Sequence, residues 1–241
     1  MSATKSAVIL VAGEGKRLRP FTNSEPKCFA RVAGKRILEN ALQALSENGC
    51  RHARIVTGHL GSLVREAITH HFAEMRVEFI QNAGYSTTNS MYSLALGLDG
   101  LDEAVWVLEG DVFFEHDLLA LAAPADIGWF VDSSARHLDG SFVEFNAERR
   151  ACSQKIIRDL ALIQPNQAKS VGILKLAPAG LRQVQDWLAK AIAAGRQNDY
   201  YDLIVGAHMA ESNIHAVDVA GHRWFEIDDN DDLQKANTLF A

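Results

Sequence analysis

Short apolar runs alternate along the first half of the chain with segments whose apolar positions recur at helical spacing. The runs at 7–12, 53–57, 76–81 and 104–108 predict strands, and the periodic segments at 37–47, 62–72 and 89–97 predict helices between them. Near-continuous apolar strands separated by helices predict a parallel sheet covered on both faces, with right-handed crossovers. After residue 124 the rhythm changes. Strands at 127–131, 141–146 and 152–157 are joined by polar turns, which predicts an antiparallel hairpin region. Helical spacing returns at 180–194 and 199–209, followed by a strand at 214–219 and a last helix at 230–240. No internal repeat, low-complexity tract or linker interrupts this order. The expectation is therefore an α/β fold in one domain over 1–241, with a ligand-binding half at 1–123 and a closing half at 124–241. The small antiparallel region would act as a lid or wall over the crevice.

Composition narrows the partners. With 241 residues, 48% hydrophobic and 22% charged, the chain can bury one sizeable core. Its 30 acidic and 24 basic residues leave a net charge of -6, and no block of five or six like charges occurs. That argues against a nucleic-acid arm and against a polybasic membrane anchor. No apolar stretch has the length of a membrane span. The run at 7–12 leads into a glycine turn rather than a cleavage site. Cys28, Cys50 and Cys152 are widely spaced and form no CxxC, so reduced thiols and a cytoplasmic location are expected.

Ligands of open parallel sheets bind beyond the carboxyl ends of the strands. Here the first such loop reads Gly13-Glu14-Gly15-Lys16-Arg17-Leu18, and the fourth carries Glu109 and Asp111. The first loop lacks the third glycine of a dinucleotide fingerprint and does not match a P-loop. What it offers is G-x-G-x-R-L-x-P followed by Pro26-Lys27. Glycine turns let backbone N–H groups approach phosphate oxygens, while Arg17 supplies a planar fork and Lys27 a point charge. A triphosphate suits that chemistry; a tight turn with solvated cations is the plainer alternative.

The segment VAGEGKRLRPFTNSEPK resembles the signature loop of nucleotidyltransferases that join a nucleoside triphosphate to a sugar or alcohol phosphate with release of pyrophosphate. The likeness continues along nearly the whole chain. QNAGYSTTNSMYSLALGL, VWVLEGDVFF, KSVGILKL, NDYYDLI and WFEIDDNDDLQKAN follow in the order seen in small cytidylyltransferases acting on phosphocholine or on phosphonates such as 2-aminoethylphosphonate. The resemblance implies a Rossmann-like nucleotidyltransferase fold with a mainly parallel central sheet. It implies that Ala12, Gly13, Gly15 and Arg17 bind the triphosphate, with Lys27 near the reacting centre. Gln81, Thr88, Asn89 and Ser90 would recognise the pyrimidine and ribose, and Asp111 and Asp228 would hold Mg²⁺. This chain reads Glu-Gly-Asp at 109–111 where relatives often have Asp-Ala-Asp, and Asp-Asp at 228–229 where they often have one acid followed by Thr. Glu109 is thus a doubtful ligand, Asp229 is an alternative, and Glu226 is open.

The chemistry asks for these residue types independently. An attacking phosphonate oxygen is already an anion, so the task is to bring two anions together and stabilise the leaving pyrophosphate. Hard Mg²⁺ prefers carboxylate and phosphate oxygens, and two aspartates from separate loops can supply them. For the acceptor, Arg136, Lys155 and Lys169 lie in the hairpin region, and Asp202 beside Tyr201 could pair a primary ammonium. Trp129, Tyr200, Tyr201 and Trp224 could instead cage a quaternary ammonium. The expected partners are CTP and a small phosphonate or phosphate acceptor, with no nucleic acid or membrane and with a homodimer left open. A sugar-1-phosphate nucleotidylyltransferase and a nucleotide-sensing module without turnover are the rival readings. His70 and His71 show no metal-ligand spacing.

Overall fold

The computed structural model describes residues 4–68, 74–121 and 125–241. The last residues of the helix expected at 62–72, the two adjacent histidines and the boundary at 123–124 lie outside the described residues. In chain order the elements are β1 (Ser6–Val11), β2 (Arg31–Val32), β3 (Lys35–Arg36), α1 (Ile37–Glu47), β4 (His52–Thr57), α2 (Gly61–Ile68), β5 (Arg76–Gln81), α3 (Ser90–Leu98), β6 (Val105–Glu109) and β7 (Val112–Phe114). There follow β8 (Ile127–Asp132), β9 (Gly140–Phe145), β10 (Ala151–Ile157), β11 (Gln167–Leu176), α4 (Pro178–Ala193), α5 (Tyr201–Gly206), β12 (Ile214–Asp218), β13 (Trp224–Glu226) and α6 (Asn230–Leu239).

Strand β1 lies at the heart of the sheet, pairing in parallel with β4 on one side and β6 on the other, and β5 extends the parallel part beyond β4. Period-2 alternation divides its side chains between two cores. Ala7, Ile9 and Val11 face the cluster that contains Leu38, Leu42 and Leu45 of α1 and Val64 and Ile68 of α2. Val8 faces the other cluster, with Leu94 and Leu98 of α3 and Leu181, Val184 and Leu188 of α4. Each such fully buried aliphatic side chain contributes about 1.5–3 kcal/mol relative to exposure. A third, smaller cluster, including Leu18, Ile37, Phe225 and Ala236, packs the first loop against α6.

The antiparallel region is a continuation of the same nine-stranded sheet. Strand β11 joins the halves: it pairs antiparallel with β6, β8 and β9, and β9 carries β10 at the edge. Sequence periodicity alone does not reveal β11 as a strand, because Gln167, Lys169, Ser170 and Gly172 interrupt the apolar pattern. In the fold all three polar side chains are buried. The register of β11 against β8 shifts between Ser170 and Leu174, and Gly172 sits within that irregularity with φ +78°. A β-bulge of this kind re-aims neighbouring side chains, here on the wall of the crevice.

Candidate active site

The crevice opens at the carboxyl ends of β1, β5 and β6, as a parallel sheet of this order requires. It consists of two contiguous depressions of about 440 and 610 Å³ that share Gly13, Arg17, Asn89, Asp111 and Asp228. In the first loop Gly15 adopts φ +58°, and a Cβ there would lie 3.0 Å from both Lys27 Cβ and Thr22 Cγ2. Glycine is therefore needed for conformation and for space, and it seats the loop directly on Lys27. The Thr22 hydroxyl donates to the Gly15 carbonyl at 2.9 Å and closes the turn. A Cβ on Gly13 would meet nothing within 4 Å, so this backbone is open to the crevice.

Two acidic loops meet opposite this turn. Gly110 N–H donates to Leu10 O at 2.9 Å, which holds the chain after β6 against β1 and delivers Asp111 into the crevice. Ile227 N–H donates to Asp111 O at 2.9 Å and brings Asp228 alongside. The Lys27 ammonium bridges the pair, 2.7 Å from Asp111 Oδ2 and 2.9 Å from Asp228 Oδ1. Arg17 reaches Asp228 Oδ2 at 2.7 Å. Burial works against the charge on Lys27, but the Asp111 and Asp228 carboxylates outweigh it and hold the ammonium above the ordinary lysine range. Burial likewise opposes ionisation of Asp228, and Lys27 and Arg17 hold it below the ordinary carboxyl range. Asp229 plays another part: its carboxylate caps α6 by accepting from the N–H groups of Asp231 and Asp232. That engagement sets Asp229 apart from Asp228.

A polar wall of the crevice is built at the start of α3. Asn89 is its N-cap, and the Ser90 hydroxyl accepts from Tyr201 N–H at 3.1 Å. Asn82, fully buried at the end of β5, donates to the hydroxyls of Thr88 at 3.1 Å and Ser93 at 3.0 Å and accepts from Gly84 N–H at 2.9 Å. Ala12, Gly13, Thr88, Asn89 and Ser90 line the crevice together with Asn82 and Tyr85. Gln81 does not: as the last residue of β5 it points to the other face and accepts from Thr57 Oγ1 at 3.1 Å. Asn82, which the sequence reading passed over, takes the inward place that strand alternation denies to Gln81.

The far end of the crevice is a polar recess. Lys169, Asp202, Glu109, Glu226, Ser141 and Arg158 line it. Lys169, only 4% exposed, pairs with Glu226 at 2.8 Å, and Arg158 pairs with Asp139 at 2.6 Å. Burial first, and then the charges of Asp111, Glu226 and Asp202, push the Glu109 carboxyl well above its ordinary range. Burial also raises Glu226, with Lys169 opposing, and raises Asp202. Among the described residues neither Glu109 nor Asp202 has an ion-pair partner. The Asp202 carboxylate accepts from Gln154 Nε2 at 3.2 Å, and burial, together with the neighbouring Glu109 and Asp202, raises the Tyr201 phenol well above its ordinary range.

Two of the expected acceptor cations stand outside this recess. Lys155 is exposed, 3.9 Å from Glu144, and Arg136 donates to Gln164 O at 2.9 Å. Along β10, Gln154 and Ile156 turn toward the crevice side and Lys155 turns away, so Arg158 is the cation that this segment delivers. The aromatic-cage alternative also fails on burial. Trp129, Trp224 and Tyr201 are core side chains, the two indoles donating to Ser170 Oγ and Asp132 Oδ2. Tyr201 therefore reaches the recess through Glu109, while half-exposed Tyr200 lines the crevice itself.

A glycine loop with two cations, facing paired aspartates across the carboxyl ends of a parallel sheet, is the apparatus of a nucleotidyltransferase. The chain belongs to the family of the MobA-like NTP transferase domain, whose pattern matches residues 7–138. It is 32% identical over 252 residues to the CMP-5'-(3-aminopropyl)phosphonate synthase of Streptomyces rubellomurinus, covering 98% of this chain and 38% of that protein. It is 26% identical over 247 residues to the choline-phosphate cytidylyltransferase of Streptococcus pneumoniae, covering 97% of each. The inositol-1-phosphate CTP transferase of T. maritima shares the fold with a TM-score of 0.79 at 21% identity, over 99% of this chain and 96% of that one. The CTP:phosphocholine cytidylyltransferase structure from Streptococcus pneumoniae does so with a TM-score of 0.76 at 21% identity, over 98% and 100%. Among the described residues no helix is long and apolar enough to cross a membrane.

Proposed function

We propose that this chain is a cytidylyltransferase that moves CMP from CTP to a small phosphonate such as 2-aminoethylphosphonate, or to a related phosphate ester, releasing pyrophosphate. The relatives named for CMP transfer to an aminopropylphosphonate and to choline phosphate support the donor. The observation that carries the acceptor is the recess: Lys169 and Arg158 beside two half-buried carboxyl groups, Glu109 and Asp202, that have no ion-pair partner among the described residues. This suits a zwitterion with an anionic head and a primary ammonium. A quaternary ammonium asks instead for aromatic faces, and three of the four candidate aromatics are in the core.

The phosphonate oxygen attacks the α-phosphorus of CTP in line, forming the new P–O–P linkage as the bond to the β-phosphate oxygen breaks. Gly13 and Gly15 present backbone to the triphosphate, and Arg17 and Lys27 balance the charge that develops on pyrophosphate. The residues present also fit a divalent cation. Asp111 and Asp228 are hard oxygen donors from separate loops, and Asp111 Oδ1 is buried without a hydrogen-bond partner. These two would hold Mg²⁺, which supplies Lewis-acid stabilisation of the phosphoryl oxygens. CTP and reduced thiols are at home in the cytoplasm, where we place the protein.

Steady-state pyrophosphate release with CTP, UTP, dTTP and GTP, each against 2-aminoethylphosphonate, phosphocholine and glucose 1-phosphate, tests the reading. The expected optimum is CTP with the phosphonate. Preference for a sugar phosphate, or turnover confined to phosphocholine, would displace it.

A further inference from the structure

Lys27 stands at the point that a cation shared by Asp111 and Asp228 would take. Its ammonium engages one oxygen of each carboxylate, at 2.7 and 2.9 Å, and Arg17 takes the second oxygen of Asp228 at 2.7 Å. Three of the four carboxylate oxygens are thus already held by side-chain cations. The fourth, Asp111 Oδ1, is buried and has no partner. A divalent ion bound to these oxygens sits at about 2.0–2.1 Å from each of them for Mg²⁺. An ammonium and a divalent ion sharing the same two oxygens would lie close together and repel each other strongly in this partly buried site.

The base of Lys27 is fixed while its charged end can be re-aimed. Its Cβ packs on Gly15, and it begins a short helical turn (Lys27–Phe29), but the four-carbon stem can rotate. The depression that the ammonium borders is also lined by Gly13, Gly15 and Arg17, where the triphosphate belongs. Phosphate oxygens there would offer the ammonium new partners next door to the old ones.

Resting on the reading that this aspartate pair holds the divalent cation, we propose that Lys27 is a place-holder for that cation: ammonium and metal are alternative occupants of the Asp111–Asp228 oxygens. The pair is kept neutralised before nucleotide arrives, so the half-buried carboxylates do not repel each other. When the triphosphate binds, its oxygens draw the ammonium across and the divalent ion takes the vacated oxygens. Metal and nucleotide binding are then coupled through Lys27, and by linkage the coupling is the same in both directions. The device also keeps the nucleotide-free enzyme from sequestering divalent ions.

The test is a titration of Mn²⁺ into nucleotide-free protein, with free ion read by electron paramagnetic resonance, and neither acceptor nor turnover enters it. Wild type should bind weakly, and Lys27→Met should bind at least tenfold more tightly. Adding Asp111→Asn to Lys27→Met should abolish the gain, which places the ion at the pair. Equal affinities in wild type and Lys27→Met, or a gain that survives Asp111→Asn, would overturn the proposal. If Lys27→Met is destabilised by the unbalanced carboxylates, Lys27→Gln and the Mn²⁺-induced rise in Tm read the same exchange: a larger rise than in wild type supports it, an equal rise refutes it. A gain in Mn²⁺ affinity without cytidylyl transfer would remove the assigned activity alone, and transfer without the gain would remove the place-holder alone.

Discussion

Lys155 and Arg158 are close in sequence and differ in surroundings. Both side chains are largely exposed, but Lys155 points away from the crevice beside Glu144, whereas Arg158 lines the recess against Asp139. Charge-assisted hydrogen bonds contribute roughly 1.5–3 kcal/mol, so Arg158→Ala should raise the Michaelis constant for the phosphonate by about tenfold or more. Lys155→Ala should leave it within about twofold, since its side chain points away from the recess and its exposed ion pair contributes only roughly 0–1 kcal/mol. Steady-state kinetics at saturating CTP distinguish the two, and equal effects would place the acceptor's anionic head elsewhere. Glu109 gives a test through stability. Burial and three neighbouring carboxylates raise its folded-state pKa above the unfolded value. The folded state therefore holds its proton to higher pH than the unfolded state, and stability falls as pH rises from the ordinary carboxyl range toward the folded pKa. Glu109→Gln should raise Tm by roughly 2–4 °C at pH 8, the shift that about 1 kcal/mol produces in a chain of this size. The gain should vanish near pH 4, where the wild-type carboxyl is protonated in both states. A pH-independent difference would point to packing rather than charge.

The element that most shapes the recess is β11. Gly172 there has φ +78°, and a Cβ would fall 2.6 Å from Glu109 Oε2. Gly172→Ala should therefore cost about 1–3 kcal/mol through backbone strain and push the Glu109 carboxyl out of place. Thermal unfolding checks the first part, and a rise in the Michaelis constant for an amine-bearing phosphonate, with that for CTP unchanged, checks the second. The legibility of such elements follows from what each strand buries. The central strands β1 and β6 are apolar on both faces and β4 and β5 keep apolar runs, so all four stand out in the sequence, and α1, α3, α4 and α6 come within a residue or two of their expected ends. Strand β11 does not, because its buried Lys169, Ser170 and Gln167 carry polar partners that only the fold supplies. The same limit applies within the site. Gly13, Gly15, Arg17, Lys27, Asp111 and Asp228 come together from motif and spacing. Which face of β5 or β10 looks inward depends on pairing register, and so Asn82 and Arg158 come to light in place of Gln81 and Lys155.

At the scale of the molecule, the two chemically different ends of the crevice are carried by one continuous sheet. Its parallel half presents the glycine loop and Asp111, its antiparallel half presents Lys169 and the recess, and β11 hydrogen-bonds to both. The third loop of the crevice, between β13 and α6, is tied back by Ile227 N–H to Asp111 O, which fixes Asp228 relative to the first two. On the proposed function, such a frame would hold donor and acceptor anions in line and leave the charge balance to Lys27, Arg17 and a divalent ion. The most direct measurement is ³¹P nuclear magnetic resonance of the protein with CTP, 2-aminoethylphosphonate and Mg²⁺. The account predicts a mixed phosphonate–phosphate anhydride of CMP appearing in step with pyrophosphate, and loss of both by at least a hundredfold in rate in a folded Asp111→Asn variant. Pyrophosphate without the anhydride, or anhydride formed at an undiminished rate by Asp111→Asn, would contradict it.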